Sequence, residues 1–171
     1  DAISGILRYN NFSLIMNPDR RLAYFVAANV NGSVDFRLKR PDADWVVDRR
    51  ISELDQLNDA FYEGTLLDRG HLARREELEW GENKFDATRR ANGTFVHTNA
   101  APQFWKFNRQ QQDKDQKLLL WQGLEQYVLE QTSRHENFKI QVFSGPVFDE
   151  FDEPFRGVKI PRAFWKVIAA V

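Results

Sequence analysis

Cysteine is absent from the 171-residue chain, which removes disulfides, thiolate nucleophiles and cysteine-ligated zinc together. Histidine is scarce: with three copies, any imidazole chemistry falls on His71, His97 or His135. No apolar run approaches the roughly 20 residues of a membrane-spanning helix, and no signal peptide is visible at Asp1. Neither sign of charge is in excess, since 24 Lys and Arg face 25 Asp and Glu for a formal net charge of −1. A basic surface for a polyanion therefore has to be local. Gly-rich phosphate cradles and dinucleotide fingerprints are missing. So are internal repeats and low-complexity linkers, and residues 1–171 read as one domain. The chain starts without Met and stops on "FWKVIAAV", the look of a chain trimmed at one or both ends.

What is present is ample material for a core, with 42% hydrophobic residues, 14 Phe and 5 Trp. "FSLIMNPDRRLAYFVAANV" predicts two strands around a turn at Asn17-Pro18-Asp19. "GSVDFRLKR" from Gly32 is a third short strand candidate, ended by Pro41. Ile51, Leu54, Leu57 and Phe61 recur at helical spacing from Arg50 to Tyr62, with Ser52 as the cap. "NKFDATRRAN" predicts a short helix closed by Asn92-Gly93. "TFVHT" predicts a strand and "NAAPQ" a loop. The longest helix is expected from about Phe107 to Thr132, with Leu118, Trp121, Leu124, Tyr127 and Val128 on one face. "FKIQVFSGPVF" and "AFWKVIAAV" are strand-like, rich in branched and aromatic residues. Strands at both ends and helices in the middle predict an α+β fold around a central antiparallel sheet with flanking helices.

Two constellations could carry chemistry. In "LLDRGHLARREELEW", His71 could pack, bind a metal or move a proton, and a lone histidine is most often structural. Arg69 stands two residues earlier, so an extended backbone points both side chains the same way. Gly70 between them leaves the backbone open to a ligand. A guanidinium beside an imidazole lowers its proton affinity and favours a neutral base. A fixed cation and a neutral base on one side suit attack on a phosphodiester. In "FVHTNAAPQFWKFNR", Asn99 falls at a strand end and Asn108 nine residues on, with Pro102 forcing a turn between them. Either asparagine could be a turn former, and either carbonyl oxygen could serve a hard cation such as Mg²⁺. Downstream, Trp121 reads as core, and Glu125 as a solvated helix residue or a carboxylate holding metal-bound water.

"DRGHLA" at Asp68–Ala73, "TNAAPQ" at Thr98–Gln103, "FN" at Phe107–Asn108 and "WQGLE" at Trp121–Glu125 stand in the order found in the DNA/RNA non-specific endonucleases. The chain resembles that family from at least Leu66 to Val128. "VFSGPVF" and "IPRAFWKVI" are similar to the family's later core strands. The resemblance implies a ββα-metal active-site motif and hydrolysis of DNA and RNA to 5′-phosphate products. It implies His71 as the general base, Asn108 as the direct Mg²⁺ ligand and Glu125 as the holder of metal-bound water. Arg69 would contact the scissile phosphate, and Asn99 would position His71 or the phosphate. Mn²⁺ or another divalent cation could substitute. Family members are secreted or mitochondrial and often homodimeric. A homodimer is therefore an expectation, and an inhibitor protein is a conceivable partner, although no segment identifies one.

One departure from the family pattern stands out. Glu125 falls 17 positions after Asn108; in a single straight helix the two would be roughly 25 Å apart. The polar segment from Gln110 to Gln116 is expected to loop out and restore the register. Substrate grip is expected from Arg74 and Arg75, with Arg69, Lys84, Arg89 and Arg90 nearby in sequence and Arg49 or Arg50 as further phosphate contacts. The plainer reading of that run is a solvated face balanced by Glu76, Glu77, Glu79 and Glu82. His97 and His135 read as structural. Two other functions compete with the nuclease: a nucleic-acid-binding module of the same fold without catalysis, and a metal-dependent phosphodiesterase for a small ester.

Overall fold

Alternation of apolar and polar residues builds the central sheet. In the computed structural model, which describes residues 5–34, 36–108, 121–130 and 137–170, strands β1 (Ile6–Arg8), β2 (Phe12–Asn17) and β3 (Leu22–Asn31) form a meander. The β2–β3 connection is the expected turn, closed by Asn17 Oδ1 accepting from the Arg20 N–H at 3.2 Å. Two later strands, β6 (Lys139–Val147) and β9 (Ala163–Ala170), complete an antiparallel sheet of order β1-β2-β3-β6-β9. Val26, Ala28 and Val30 share one face of β3 and are buried, whereas Asn29 is exposed, the pattern of a sheet packed on one side. Gly145 lets β6 lie close against β3, because a Cβ there would stand 2.5 Å from the Tyr24 carbonyl oxygen.

Against the packed face lies a two-stranded ribbon, β4 (Leu67–His71) with β5 (Ala100–Phe104), pairing Arg69 with Pro102 and His71 with Ala100. Leu72 and Ala73 just beyond β4, with Ala101 of β5, join Leu14, Val26 and Ala28 of the sheet in one apolar cluster. The Ser144 hydroxyl on β6 donates to the Leu72 carbonyl at 2.6 Å, fixing the residue after His71 to the sheet. The ribbon runs directly into helix α3 (Trp105–Asn108). Helix α4 (Trp121–Val128) follows, and Leu129 just beyond it packs on Val30, Ile140 and Val142. Helix α1 (Asp59–Tyr62), helix α2 (Lys84–Asn92) and the hairpin β7 (Glu153–Phe155) with β8 (Val158–Ile160) complete the elements named here. Among the described residues no helix is long and apolar enough to cross a membrane.

Several expectations change. The helix over Arg50–Tyr62 is broken into a 3-10 turn at Glu53–Asp55, capped by Ser52, and the short α1. Gln56 breaks it: its side-chain amide accepts from the Asp48 N–H and donates to the Asp48 carbonyl, both at 2.8 Å. Those tertiary bonds hold Gln56 extended and leave Leu54 79% exposed. Among the described residues the segment from Gly32 forms no strand; it is tethered by Phe36 N–H to the Glu79 carbonyl and Leu38 N–H to the Glu79 carboxylate. "TFVHT" makes one bridge, Val96 to Val46, before a 3-10 turn at His97–Asn99. The expected loop "NAAPQ" contributes most of β5 instead, with Pro102 inside the strand. In a two-stranded ribbon each strand has one unpaired edge, so the missing N–H of Pro102 is tolerated. Helix α2 and its end at Gly93 match the sequence reading, although Gly93 keeps a right-handed φ of −63°.

Candidate active site

A cavity of about 480 Å³ opens where the ribbon, α3 and α4 meet. Five of the residues singled out in the sequence line it: Arg69 and His71 from β4, Arg74 just beyond, Asn108 from α3 and Glu125 from α4. Arg40, Trp45, Tyr62, Asp68 and Glu76 join them. Glu125 lines the same cavity as Asn108 despite the 17 positions between them. The Phe107 ring stacks on Trp121 at 5.7 Å between centroids. A continuous helix would separate those residues by roughly 20 Å, so the single straight helix expected over Phe107–Thr132 does not connect them. The expected loop from Gln110 to Gln116 lies outside the described residues, as does His135.

His71 sits in an aromatic cage, its ring centroid 4.6 Å from that of Trp45 and 5.2 Å from that of Phe95. Its Nε2 is buried without a hydrogen-bond partner. Burial first, then the charge of Arg40, pulls the imidazole pKa down to about 3, with Glu76 opposing. The lowered pKa favours the neutral form, and the neighbouring cation that contributes most to it is Arg40 rather than Arg69. Gly70 plays a part other than the one expected. A Cβ at Gly70 would stand 2.2 Å from the Gln103 side chain, so the open backbone accommodates Gln103 and not a ligand.

Arg69 is half-buried, with Nε 3.5 Å from the Asp59 carboxylate and its guanidinium carbon 5.5 Å from the Tyr62 ring centroid. Arg74 is largely buried, with Nε 3.0 Å from Glu76 and one terminal nitrogen donating to Gln126 at 2.9 Å. The other, Nη1, is buried without a partner. Arg75, by contrast, is 1% exposed and lies outside the cavity lining. It is ion-paired with Glu79, and its terminal nitrogens donate to the carbonyls of Leu38 and Lys39. That geometry corrects its expected substrate role: Arg75 tethers the segment that brings Arg40 into the cavity. Arg40 and Asp68 line the cavity too, although the motifs assign neither a role.

Asn99 is fully buried and does not line the cavity. Its Nδ2 donates to the carbonyls of Ala73 and Thr94 at 2.9 and 3.1 Å, and its Oδ1 accepts from the Ala73 N–H at 2.8 Å. It clamps the backbone two residues beyond His71. Neither Arg49 nor Arg50 lines the cavity; Arg50 grips Asp48. Lys84, Arg89 and Arg90 are carried by α2, away from the lining, and the last two pair with Asp86. His97 is buried in a structural setting beside Tyr62 and Asp59, and burial lowers its pKa.

Asn108 Nδ2 donates to Asp68 Oδ2 at 3.0 Å. A carboxylate only accepts, so the amide is oriented and its carbonyl oxygen is the end available to a metal. Glu125 adds one carboxylate, whose pKa burial pushes up while Lys166 pulls it back. No group of three or more His, Cys, Asp or Glu converges among the described residues. One amide oxygen and one carboxylate fit a cation that keeps most of its waters, as Mg²⁺ does.

Fold and cavity together define a mixed α+β protein with a polar site at the ribbon–helix junction. The chain belongs to the DNA/RNA non-specific endonuclease family, whose model matches residues 2–171. It is 42% identical to the uncharacterized protein y4fB of Sinorhizobium fredii over 98% of this chain and 25% of that protein. It is 28% identical to human mitochondrial endonuclease G over 64% of this chain and 31% of that protein. The chain thus spans about a quarter to a third of these relatives. In structure it is similar to the crystal structure of an EndoG/EndoGI complex, a study of EndoG inhibition. The TM-score is 0.72 at 20% identity, covering 96% of this chain and 67% of that one.

Proposed function

We propose that the chain is a Mg²⁺-dependent endonuclease acting on DNA and RNA, with residues 1–171 as one nuclease unit. The observation that carries this reading is a neutral His71 with an unpartnered Nε2, in one cavity with Arg69, Arg40 and Asn108. Arg69, Arg40 and Arg74 hold the phosphate, the guanidinium forks matching its oxygens. His71 takes a proton from water as its oxygen bonds to phosphorus, and the P–O3′ bond breaks to leave a 5′-phosphate. The departing 3′-oxygen is protonated from solvent. Asn108 and Glu125 would hold Mg²⁺, which supplies positive charge against the phosphate in the transition state. Asn99 acts one step back, by fixing the backbone beyond His71; its zero exposure suits that part of its expected role and leaves no atom for phosphate.

Supercoiled plasmid and RNA, each with Mg²⁺ or chelator, provide the test. The protein is expected to cut both with Mg²⁺ and neither with chelator. His71→Ala should lower the rate by at least about 10²-fold while the fold and DNA binding persist. Cleavage by that variant at the original rate would take the general base away from His71. Nucleic acid bound but uncut by the unaltered protein would favour the non-catalytic binding module, and cleavage of small diesters alone would favour the small-ester phosphodiesterase.

A further inference from the structure

Lys166 belongs to the edge strand β9, yet its side chain is only 5% exposed. Its Nζ lies 2.8 Å from Glu77 Oε1 and 2.8 Å from Glu125 Oε1, and 5.7 Å from the centroid of the Trp121 ring. An ammonium so buried persists only when paired, and here two carboxylates from different parts of the chain converge on it. Glu77 is itself fixed, because its Oε2 accepts from the Arg74 N–H at 2.9 Å. Across the sheet, Lys166 is paired with Ser144, the residue whose hydroxyl holds Leu72 next to His71. The ammonium is therefore carried by the same sheet to which the end of β4 is tied.

The consequence falls on Glu125. One of its oxygens is committed to Lys166, and the other, Oε2, stands 4.0 Å from Nε of Arg74, a cavity residue. We propose that Lys166 is a positioning residue: by gripping Oε1 it fixes the Glu125 carboxylate so that Oε2 is presented to the waters of a divalent cation held at Asn108. Glu77 keeps the ammonium in place from the other side. Without the ammonium, Glu77 and Glu125 would repel, and the Glu125 carboxylate would turn freely. The inference rests on the metal-dependent reading of the site.

Mn²⁺ binding to the whole protein without nucleic acid, followed by electron paramagnetic resonance, tests it. Lys166→Met should weaken Mn²⁺ binding by about 10-fold or more, the usual effect of removing a partner of a metal-site carboxylate. Glu125→Gln should weaken it similarly. The double variant should be no worse than Glu125→Gln alone, because Lys166 acts through that carboxylate. Full Mn²⁺ affinity in Lys166→Met would overturn the inference. So would a further loss on adding Lys166→Met to Glu125→Gln, which would mark an effect on the fold at large. If Lys166→Met does not fold, Lys166→Met with Glu77→Gln removes one buried charge of each sign. It is then compared with Glu77→Gln, with the same expected loss. Failure of the unaltered protein to bind Mn²⁺ would overturn the metal reading and this inference with it, a result distinct from one confined to the variants.

Discussion

An imidazole held near pKa 3 by burial and by Arg40 inverts the usual acid behaviour of histidine. In the unfolded chain the group titrates near about 6.5. Between those values the unfolded state binds the extra proton, so stability gained from the neutral ring is present above the unfolded value. It is lost as pH falls toward the folded one. By NMR, the His71 ring is expected to remain neutral at pH 5 in the folded protein, and Arg40→Gln should shift its titration upward. A midpoint near 6.5 in the unaltered protein would mean that water reaches the ring and the cage of Trp45 and Phe95 is open. Adjacent residues of the same type divide sharply here. Arg74 lines the cavity, whereas Arg75 is consumed by Glu79 and two carbonyls. No local pattern in "ARREE" separates them, because the difference is set by a segment more than thirty positions upstream.

The ribbon sets the limits at the level of elements. Its strand β4 is legible from two-residue spacing, which places Arg69 and His71 together. Its partner β5 is not, since Pro102 and the alanines carry turn and helix signals that a two-stranded ribbon overrides. Gln103 lying over Gly70 gives a sharp test. Gly70→Ala puts a methyl group 2.2 Å from a side chain that is 1% exposed, leaving little room to yield. Overpacking of this kind costs typically about 1–3 kcal/mol, visible as a lower midpoint in thermal or urea unfolding. Gln103→Ser added to Gly70→Ala should restore part of the loss. An unchanged midpoint in the single variant would show that Gln103 moves aside freely. The helix expected over Arg50–Tyr62 fails for a similar reason: Gln56 spends its amide on Asp48, a contact that helical periodicity cannot foresee.

At the scale of the molecule, the α+β class, the central antiparallel sheet and five cavity residues follow from strand composition and motif order. Which basic residues face the site does not, because it depends on tethers such as Arg75 to the carbonyls of Leu38 and Lys39. On the nuclease reading, a formal net charge of −1 leaves attraction to nucleic acid to local basic groups such as the cavity arginines. Binding to duplex DNA, measured without catalytic metal by fluorescence anisotropy across salt concentrations, should therefore show a shallow dependence. About three neutralised phosphates give a slope near −3 in log K against log salt. A much steeper slope would bring the arginines of α2 into the interface.

The tether through Arg75 also bears on when the site comes into being. Arg40 and Glu125 are separated by about half the chain, and neither reaches the cavity until distant segments have closed on each other. Contacts of such long range form late, after the entropy of large loops has been lost. On the nuclease reading, a polypeptide still emerging from the ribosome, or threaded unfolded across a membrane, holds the base, the phosphate clamps and the metal ligands apart. Its own maker is thus shielded from it by the order of folding, before any inhibitor is needed.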